Sequence, residues 1–504
     1  MLSLFAATAY GQQAPAVLRM QDTASVARVL RQPDSRLIFF TASGGGFYSE
    51  RLFADGDKDD VYNGIRTSKT LYSGAAKCRT RTAELDKWNR VLIAGHCSRD
   101  GKKMATIVRL TKNGDPDAEF EGPVQTVVGD SAEVNALCQL RDERMMAAGT
   151  YYASGESRFF LSKHMYNGAR DNSFGSNGVR VDSDMPAGSK AIGAVTQWDG
   201  KIVVCGYHAI DDGGEMILIR YNTDGGRDQS YGKDAMLTVT PGTGAYILPK
   251  KIIALPGDKL LVAGTYAAKG QGQELFVARY TWDGKADTAF GNGGMLRLSV
   301  TGNDRADDMA LLPDEGGIVL SGAGAMTGEL DGSRQVLLRL SNEGKVDSIW
   351  GYGSKAGIKA PLVRKGAFSA GQSIVTSPLD GRVYCVSETI TPGAIETIVN
   401  LTTFLQDADL GILDMADKKK QRLVYPMPVK EKIKLLYELV DSQNVTVRIY
   451  DQAGKEVGII NKRMKQEGDN TLPINLPAEL PRGRYEAVMN ISDTYETTIE
   501  ITKQ

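Results

Sequence analysis

The sequence predicts an all-β protein: a seven-bladed β-propeller over residues 12–405, then a small Ig-like β-sandwich over 422–504. Three observations predict it. A basic–turn–aspartate–aromatic motif recurs at a period of about 54 to 60 residues. A short apolar strand, often followed by glycine, recurs in step with it. After Leu405 both patterns stop and a different alternation begins.

Composition agrees with the first of these. Of 504 residues 56 are glycine and 24% are charged, which suits tight turns between short strands. With 60 basic and 61 acidic residues the net charge is -1, so no overall field recruits nucleic acid or an anionic membrane. No apolar stretch reaches the roughly 18 residues of a transmembrane segment.

The chain opens "MLSLFAATAYGQQAP". A short apolar core and small residues at Ala9 and Gly11 before Gln12 resemble a signal-peptide cleavage site, so 1–11 is read as a signal-peptide remnant. Its positively charged start is missing, and a buried first strand is the competing reading. No cysteine follows the site, so a lipoprotein anchor is not expected.

The propeller rests on the repeat. "RYTWDGKADTAFGNGG" from Arg279 has counterparts from Arg51, Arg109, Lys163, Arg220 and Arg339. The second element reads "RLIFFT", "RVLIAG", "RMMAAG", "KIVVCG", "KLLVAG", "GIVLSG" and "RVYCVS", seven copies in all. Gly95, Gly149, Gly206, Gly264 and Gly322 close that strand in five of them. Four apolar runs per unit, bounded by Gly, Asp or Asn, read as four strands. Seven such units form a closed ring more readily than a solenoid, whose ends need caps that are not evident. "AVLRM" (16–20) mimics the strand after each motif, so the register of ring closure stays open. This pattern, over roughly 15–405, resembles the delta-60 repeat family. That resemblance implies propellers of exported or surface bacterial proteins and carries no catalytic motif.

In each motif a basic residue and an aspartate stand eight positions apart. The couples are Arg51 with Asp59, Arg109 with Asp117, Lys163 with Asp171, Arg220 with Asp228, Arg279 with Asp287 and Arg339 with Asp347. The turn between them lets the side chains meet, and a lone charge on an apolar strand would be costly. They are read as partly buried structural ion pairs that pin the turn between successive strands. In the seventh unit Asn400 and Ala408 replace both partners together. A phosphate loop needs a following helix, and here a strand follows. "DGDKDD" (55–60) alternates carboxylates but has Asp60 and Arg66 where a calcium loop needs Gly and Glu. No metal and no cofactor is expected.

Five cysteines show no CxxC. Cys205 and Cys385 read as core residues, and Cys78 and Cys97 flank a hairpin turn near Lys87–Trp88 where a disulfide is an open alternative. The three histidines, His96, His164 and His208, fall in different units, and no triad or zinc motif accompanies them. No catalytic residue is assigned. The irregular stretches between the second and third strands gather on one face, where Tyr151, Tyr152, Tyr207, His208 and Tyr266 are the candidate contact residues.

Residues 406–421 read as a polar linker. The tail alternates as half-buried antiparallel strands ("VTVRIY", "TTIEIT") with turns at "DQAG" and "PRG". It resembles the type A C-terminal sorting domain of the type IX secretion system through Tyr425-Pro426-Met427-Pro428, "IYD" with Gly454-Lys455, "LP" with Gly483 and Tyr485, and Lys503. Met427 departs from the usual Asn. The resemblance implies passage through the periplasm to a type IX translocon, and release or attachment at the cell surface. The functional expectation is a non-enzymatic binding or adhesion module with a surface protein or glycan as ligand. The alternatives are a carboxylate-based hydrolase or lyase on a propeller face, and a structural part of the secretion machinery that keeps its tail.

Overall fold

In the computed structural model the described residues are 16–19, 26–41, 46–53, 58–62, 77–210, 213–300, 302–313, 316–325, 333–347, 351–352, 355–356, 358–359, 368–377, 382–390 and 397–405, and in the tail 421–424, 432–439, 443–451, 455–465, 468–475, 480–481, 483–491 and 495–503. The chain divides after Gln406 into two compact units. The signal-peptide reading at 1–11 and most of the linker fall outside the described residues.

The larger unit is an all-β propeller. Its antiparallel sheets follow the repeat, each beginning with an edge strand: Val26–Arg31, Lys77–Leu85, Ser131–Gln139, Ser189–Thr196, Ala245–Ala254, Asp304–Leu311 and Phe368–Thr376. Each edge strand packs on the edge strand of the next sheet, and Phe368–Thr376 packs on Val26–Arg31. These strands are therefore the inner ones of a closed ring. The second strands, such as Val91–Arg99 and Ile202–Ile210, begin with the apolar runs read from the sequence, and those runs are buried. Sheets packed face to face leave both sides of such a strand dry, so the run is continuous rather than alternating.

Units 2 to 6 carry their own outer strand after the motif, whereas the outer strand of unit 7 is Ala16–Arg19, antiparallel to Thr397–Leu405. The two ends of the propeller chain thus close one sheet. Apolar packing continues across the seam, where Val29, Leu37 and Phe39 share a cluster with Tyr384, Val386 and Leu401. A buried clamp sits beside it. Arg28 reaches Asp308 of unit 6 at 3.1 Å, and Asp308 also accepts bonds from Ser373 Oγ and the Ile374 amide of unit 7.

The repeat glycines do not close their strands. Each second strand runs on for several residues, and the glycine stands opposite a β-bulge in the inner strand. The extra residues are Ala27, Arg81, Asn135, Ile192, Lys250, Asp307 and Gln372. At each bulge a carbonyl of the inner strand crowds the glycine: a Cβ on Gly95, Gly149, Gly264 or Gly322 would lie 1.9, 2.1, 2.0 or 1.9 Å from it. The bulge bends the strand and re-aims its side chains. Cys78 and Cys97 stand directly opposite on neighbouring strands of unit 2 and are disulfide-bonded.

The smaller unit has a three-stranded sheet (Gln421–Val424, Lys432–Leu439, Gly468–Asn475) and a four-stranded one (Glu456–Lys465, Gln443–Asp451, Gly483–Ile491, Tyr495–Lys503). Tyr485 is buried and its hydroxyl donates to the Pro481 carbonyl at 2.7 Å. Gly483 opens its strand and Lys503 ends the last one, while Tyr425, Pro426, Pro428 and Gly454 fall outside the described residues.

Candidate functional site

The recurrent motif locks one blade to the next. Asp59 meets Arg51 at 2.8 Å, Asp117 meets Arg109 at 2.6 Å and Asp171 meets Lys163 at 3.4 Å. Asp228 meets Arg220 at 2.7 Å, Asp287 meets Arg279 at 2.8 Å and Asp347 meets Arg339 at 3.0 Å. Asp59, Asp117, Asp171, Asp228 and Asp287 also cap the turn that follows, each Oδ1 accepting from the amide two residues on. The cation then reaches out of its own unit. Arg51 donates to the Lys112 carbonyl, Arg109 to Tyr166, Lys163 to Thr223, Arg220 to Trp282 and Arg279 to Asn342. Every acceptor lies in the turn that opens the next unit's motif.

The aromatic of the motif completes the lock. The Arg220 guanidinium lies 4.7 Å from the Tyr231 ring, and the same stacking recurs for Arg51 on Tyr62, Arg109 on Phe120 and Arg279 on Phe290. On its other side each ring meets the turn glycine of the following unit. Phe120 faces Gly168, Phe174 faces Gly225, Tyr231 faces Gly284 and Phe290 faces Gly344, and any Cβ there would press into the ring.

A second cation joins five of the aspartates from the start of the second strand. Arg36 reaches Asp59 at 3.2 Å, Arg90 reaches Asp117 at 3.5 Å and Arg144 reaches Asp171 at 2.6 Å. Lys201 reaches Asp228 at 3.0 Å and Lys259 reaches Asp287 at 2.8 Å. The strand head lies beside the motif turn, so the two cations straddle a single carboxylate. Asp347 departs in another way: its side chain is 23% exposed against 1% for Asp59 and 7% for Asp117, so this couple is the most open of the six. Burial disfavours the Asp171 carboxylate, but bonds from Ser173, Arg144 and Lys163 outweigh it and hold it at about 2. A carboxylate so engaged is a scaffold group.

His164 belongs to the same scaffold. It is buried, with Nδ1 3.1 Å from the Gly168 carbonyl and Nε2 2.9 Å from Ser162 Oγ. Burial pushes its pKa down from the usual 6.5 to about 4. A depressed folded-state pKa means full stability above 6.5 and progressive loss as pH falls toward 4, because only the unfolded chain takes the proton. Urea unfolding at pH 7 and pH 5 should therefore show a loss of about 2 kcal/mol. That loss should shrink in His164→Tyr, which installs the residue found at this place as Tyr221 and Tyr280. An unchanged pH dependence in the variant refutes the assignment.

The other end of the inner strands, toward the hairpins between second and third strands, gathers different chemistry. Arg81 of unit 2 forks onto Glu133 of unit 3 at 3.1 and 2.9 Å, and His96 Nδ1 lies 3.1 Å from the same oxygen. Burial opposes the Glu133 charge, but His96 and Arg81 overcome it and hold the carboxyl at about 2. Tyr152 stands in the field of Glu133, Lys190, Arg81 and Tyr207, and its hydroxyl is pushed up, chiefly by burial. Farther around the ring Arg305 pairs with Asp307 at 2.9 Å. Lys250 is exposed, as is Arg79. The rim thus carries Arg79, Arg81, Lys190, Lys250 and Arg305 against Glu133, Asp307 and, in unit 7, Glu388, which accepts from Gln372 at 3.4 Å. Among the described residues Arg79, Lys190 and Lys250 have no carboxylate in ion-pair contact.

Of the tyrosines named from sequence, Tyr152 and Tyr207 are half-buried at this rim. Tyr151 is a correction: it is 6% exposed and sits in the core between units 2 and 3. Neighbours on a strand point to opposite sides, so only one of Tyr151 and Tyr152 can face out. His208 lies 3.6 Å from Glu215 on the same hairpin, and Tyr266 stacks on Arg297 at 3.5 Å. No group of three metal-ligating residues occurs among the described residues. Asp55 of the alternating-carboxylate stretch lies outside them.

Comparisons with known proteins fit this division. Residues 197–231 and 257–290 match the beta-propeller domain of unknown function DUF5122, and residues 423–503 match the secretion system C-terminal sorting domain. A comparison with curated proteins finds no match. Among solved structures, prolyl oligopeptidase B from Galerina marginata is 11% identical with a TM-score of 0.40, over 84% of this chain and 56% of that one. The polysaccharide lyase Uly1 is 10% identical with a TM-score of 0.37, over 84% of this chain and 94% of that one. This chain therefore spans little more than half the length of the oligopeptidase. The sorting domain marks a type IX secretion substrate, released or held at the cell surface. No helix among the described residues is long and apolar enough to cross a membrane.

Proposed function

We propose that this exported propeller is a binding module whose recognition surface is the rim formed by Arg79, Arg81, Glu133, Tyr152, Lys190 and Lys250, and that its ligand is anionic. The observation that carries the reading is the charge imbalance there. Cations from units 2, 4 and 5 collect at one end of the inner strands, while the chain as a whole is close to neutral. Rigid strands hold them, so little ordering entropy is lost on binding. A ligand bearing carboxylates or sulfates, such as an acidic surface glycan, meets both the charge and the tyrosine faces.

The test is retention of the tail-free protein on immobilised polygalacturonate and dextran sulfate, with dextran as control. Retention should fall steeply with salt and drop about tenfold or more when Arg79, Lys190 and Lys250 are changed together to alanine. No retention, or retention indifferent to the triple change, refutes the proposal. Release of new reducing or unsaturated ends that depends on Glu133 or Asp307 would replace it with the hydrolase or lyase reading. The mass of the mature extracellular protein separates both from a machinery role, in which residues 407–504 stay attached.

A further inference from the structure

The opposite end of the ring, where the turns of the motif lie, carries a second feature that the lock does not require. We infer that Trp198 and Trp282, on adjoining turns of units 4 and 5, form a two-ring platform for a neutral pyranose chain. Trp198 is 73% exposed and Trp282 is 57% exposed. Both are pinned through their backbones. The Trp198 amide donates to Asp258 Oδ1 at 2.7 Å, and the Trp282 carbonyl accepts from Arg220 at 2.6 Å and from Gln197, the neighbour of Trp198, at 3.2 Å. The two tryptophans thus stand on turns that cannot drift apart without breaking the blade-to-blade lock.

The repeat itself does not ask for tryptophan. At the place of Trp198 the other units have Pro33, Lys87, Arg141, Pro256, Pro313 or Pro378, and at the place of Trp282 they have Lys112, Tyr166, Thr223 or Asn342. Of these only Tyr166 is a further exposed aromatic, and in the unit before it the place of Trp198 is held by Lys87. The hydrogen bonds of the fold at these positions use only a backbone amide or carbonyl, and the rings themselves meet one guanidinium each, Arg141 on Trp198 and Arg220 on Trp282 at 5.6 Å. Even so, both residues stay more than half exposed, so most of their apolar surface is left for contact with something else.

The chemistry selects the partner. The Arg141 guanidinium lies 3.1 Å from the centre of the Trp198 ring and occupies one face of it, while the residue as a whole stays 73% exposed. An indole face is electron-rich and attracts the weakly positive C–H groups on the flat side of a pyranose. The nearby charges are of both signs, with Asp199 on Lys201 at 3.4 Å, Asp283 on Lys285 at 2.7 Å, and the Arg141 guanidinium on the Trp198 ring set against the Asp258 carboxylate at its amide. They supply donors and acceptors for hydroxyls without a field that would favour a charged ligand. A β-1,4-linked neutral chain, whose successive rings present flat faces, matches two platforms on adjoining turns.

The experiment uses the full chain. Cellohexaose, chitohexaose and mannohexaose are titrated by calorimetry and by tryptophan fluorescence. At least one should bind with a fluorescence change, and Trp198→Ala and Trp282→Ala should each weaken it about tenfold. Trp88→Ala, which removes an exposed indole already stacked by Lys87 and Arg90, should leave binding unchanged. Retention on polygalacturonate should be unaltered in the Trp198 and Trp282 variants, which separates this site from the rim. Failure of all three hexasaccharides to bind, or binding that survives the double change, overturns the inference.

Discussion

Arg220→Ala should lower the free energy of unfolding of the propeller by about 3–5 kcal/mol, the range for stripping one partner from a buried ion pair. Arg220 is 1% exposed, and its loss takes a bond from several groups at once: the Asp228 carboxylate, Gln197 Oε1, Ser230 Oγ and the Trp282 carbonyl. Lys201 still reaches Asp228 at 3.0 Å, which sets the loss toward the lower end. The same change at Arg339 should cost about 1 kcal/mol, because its couple with Asp347 is partly open to water and screened. Denaturant unfolding of the two variants, with Asp228→Ala and the double variant to complete a cycle, checks both numbers. Similar losses at the two sites would mean that the cation is worth no more than a surface charge, and the lock between blades would lose its energetic basis.

Half of that lock is legible in the sequence. The spacing of Arg and Asp is periodic, both are unusual on or beside an apolar strand, and their joint replacement by Asn400 and Ala408 speaks for a pair. The destination of the cation is not legible. A backbone carbonyl has no residue identity, and the acceptors Lys112, Tyr166, Thr223, Trp282 and Asn342 share no side-chain chemistry. The second cation on Asp59, Asp117, Asp171, Asp228 and Asp287 is legible in principle, since "RLIFF", "RVLIAG", "RMMAAG", "KIVVCG" and "KLLVAG" all begin with a base. It is hidden because a charge at the head of a strand is normally a solvated turn residue. The sixth copy, "GIVLSG", has glycine there, and Asp347 of that unit is the one most open to water.

The rim escapes sequence reasoning for a related reason. Irregular loops are where recognition is expected, but Arg81, Lys190 and Lys250 stand within or beside apolar strands. Arg81 and Lys250 are themselves bulge residues, and a bulge leaves no sequence mark on the bulged strand. Its mark is the glycine across the ladder, which looks like a strand terminator until the register is known. Sequence periodicity thus reports what every blade repeats, whereas the candidate site consists of what differs from blade to blade at the bulge and at the inner-strand position two places before it.

Gly264→Ala should destabilise the propeller by about 1–3 kcal/mol, the cost of overpacking a site that cannot relax by a rotamer change. A Cβ there would lie 2.0 Å from the Leu248 carbonyl oxygen and 2.9 Å from the Phe276 ring. The obstacle is main chain, held by the antiparallel ladder on both sides of the bulge at Lys250. Relief therefore requires the inner strand to move, and Lys250 moves with it. Anionic ligand retention should accordingly fall in Gly264→Ala even at a urea-free, fully folded baseline. Unit 7 supplies the control. There the small residue is on the inner strand, Gly371, opposite Ser387, so Ser387→Ala adds no atom at the crowded point and should be nearly neutral. If Gly264→Ala proves as mild as Ser387→Ala, the glycine is not what permits the bulge, and the placement of the rim cations must have another cause.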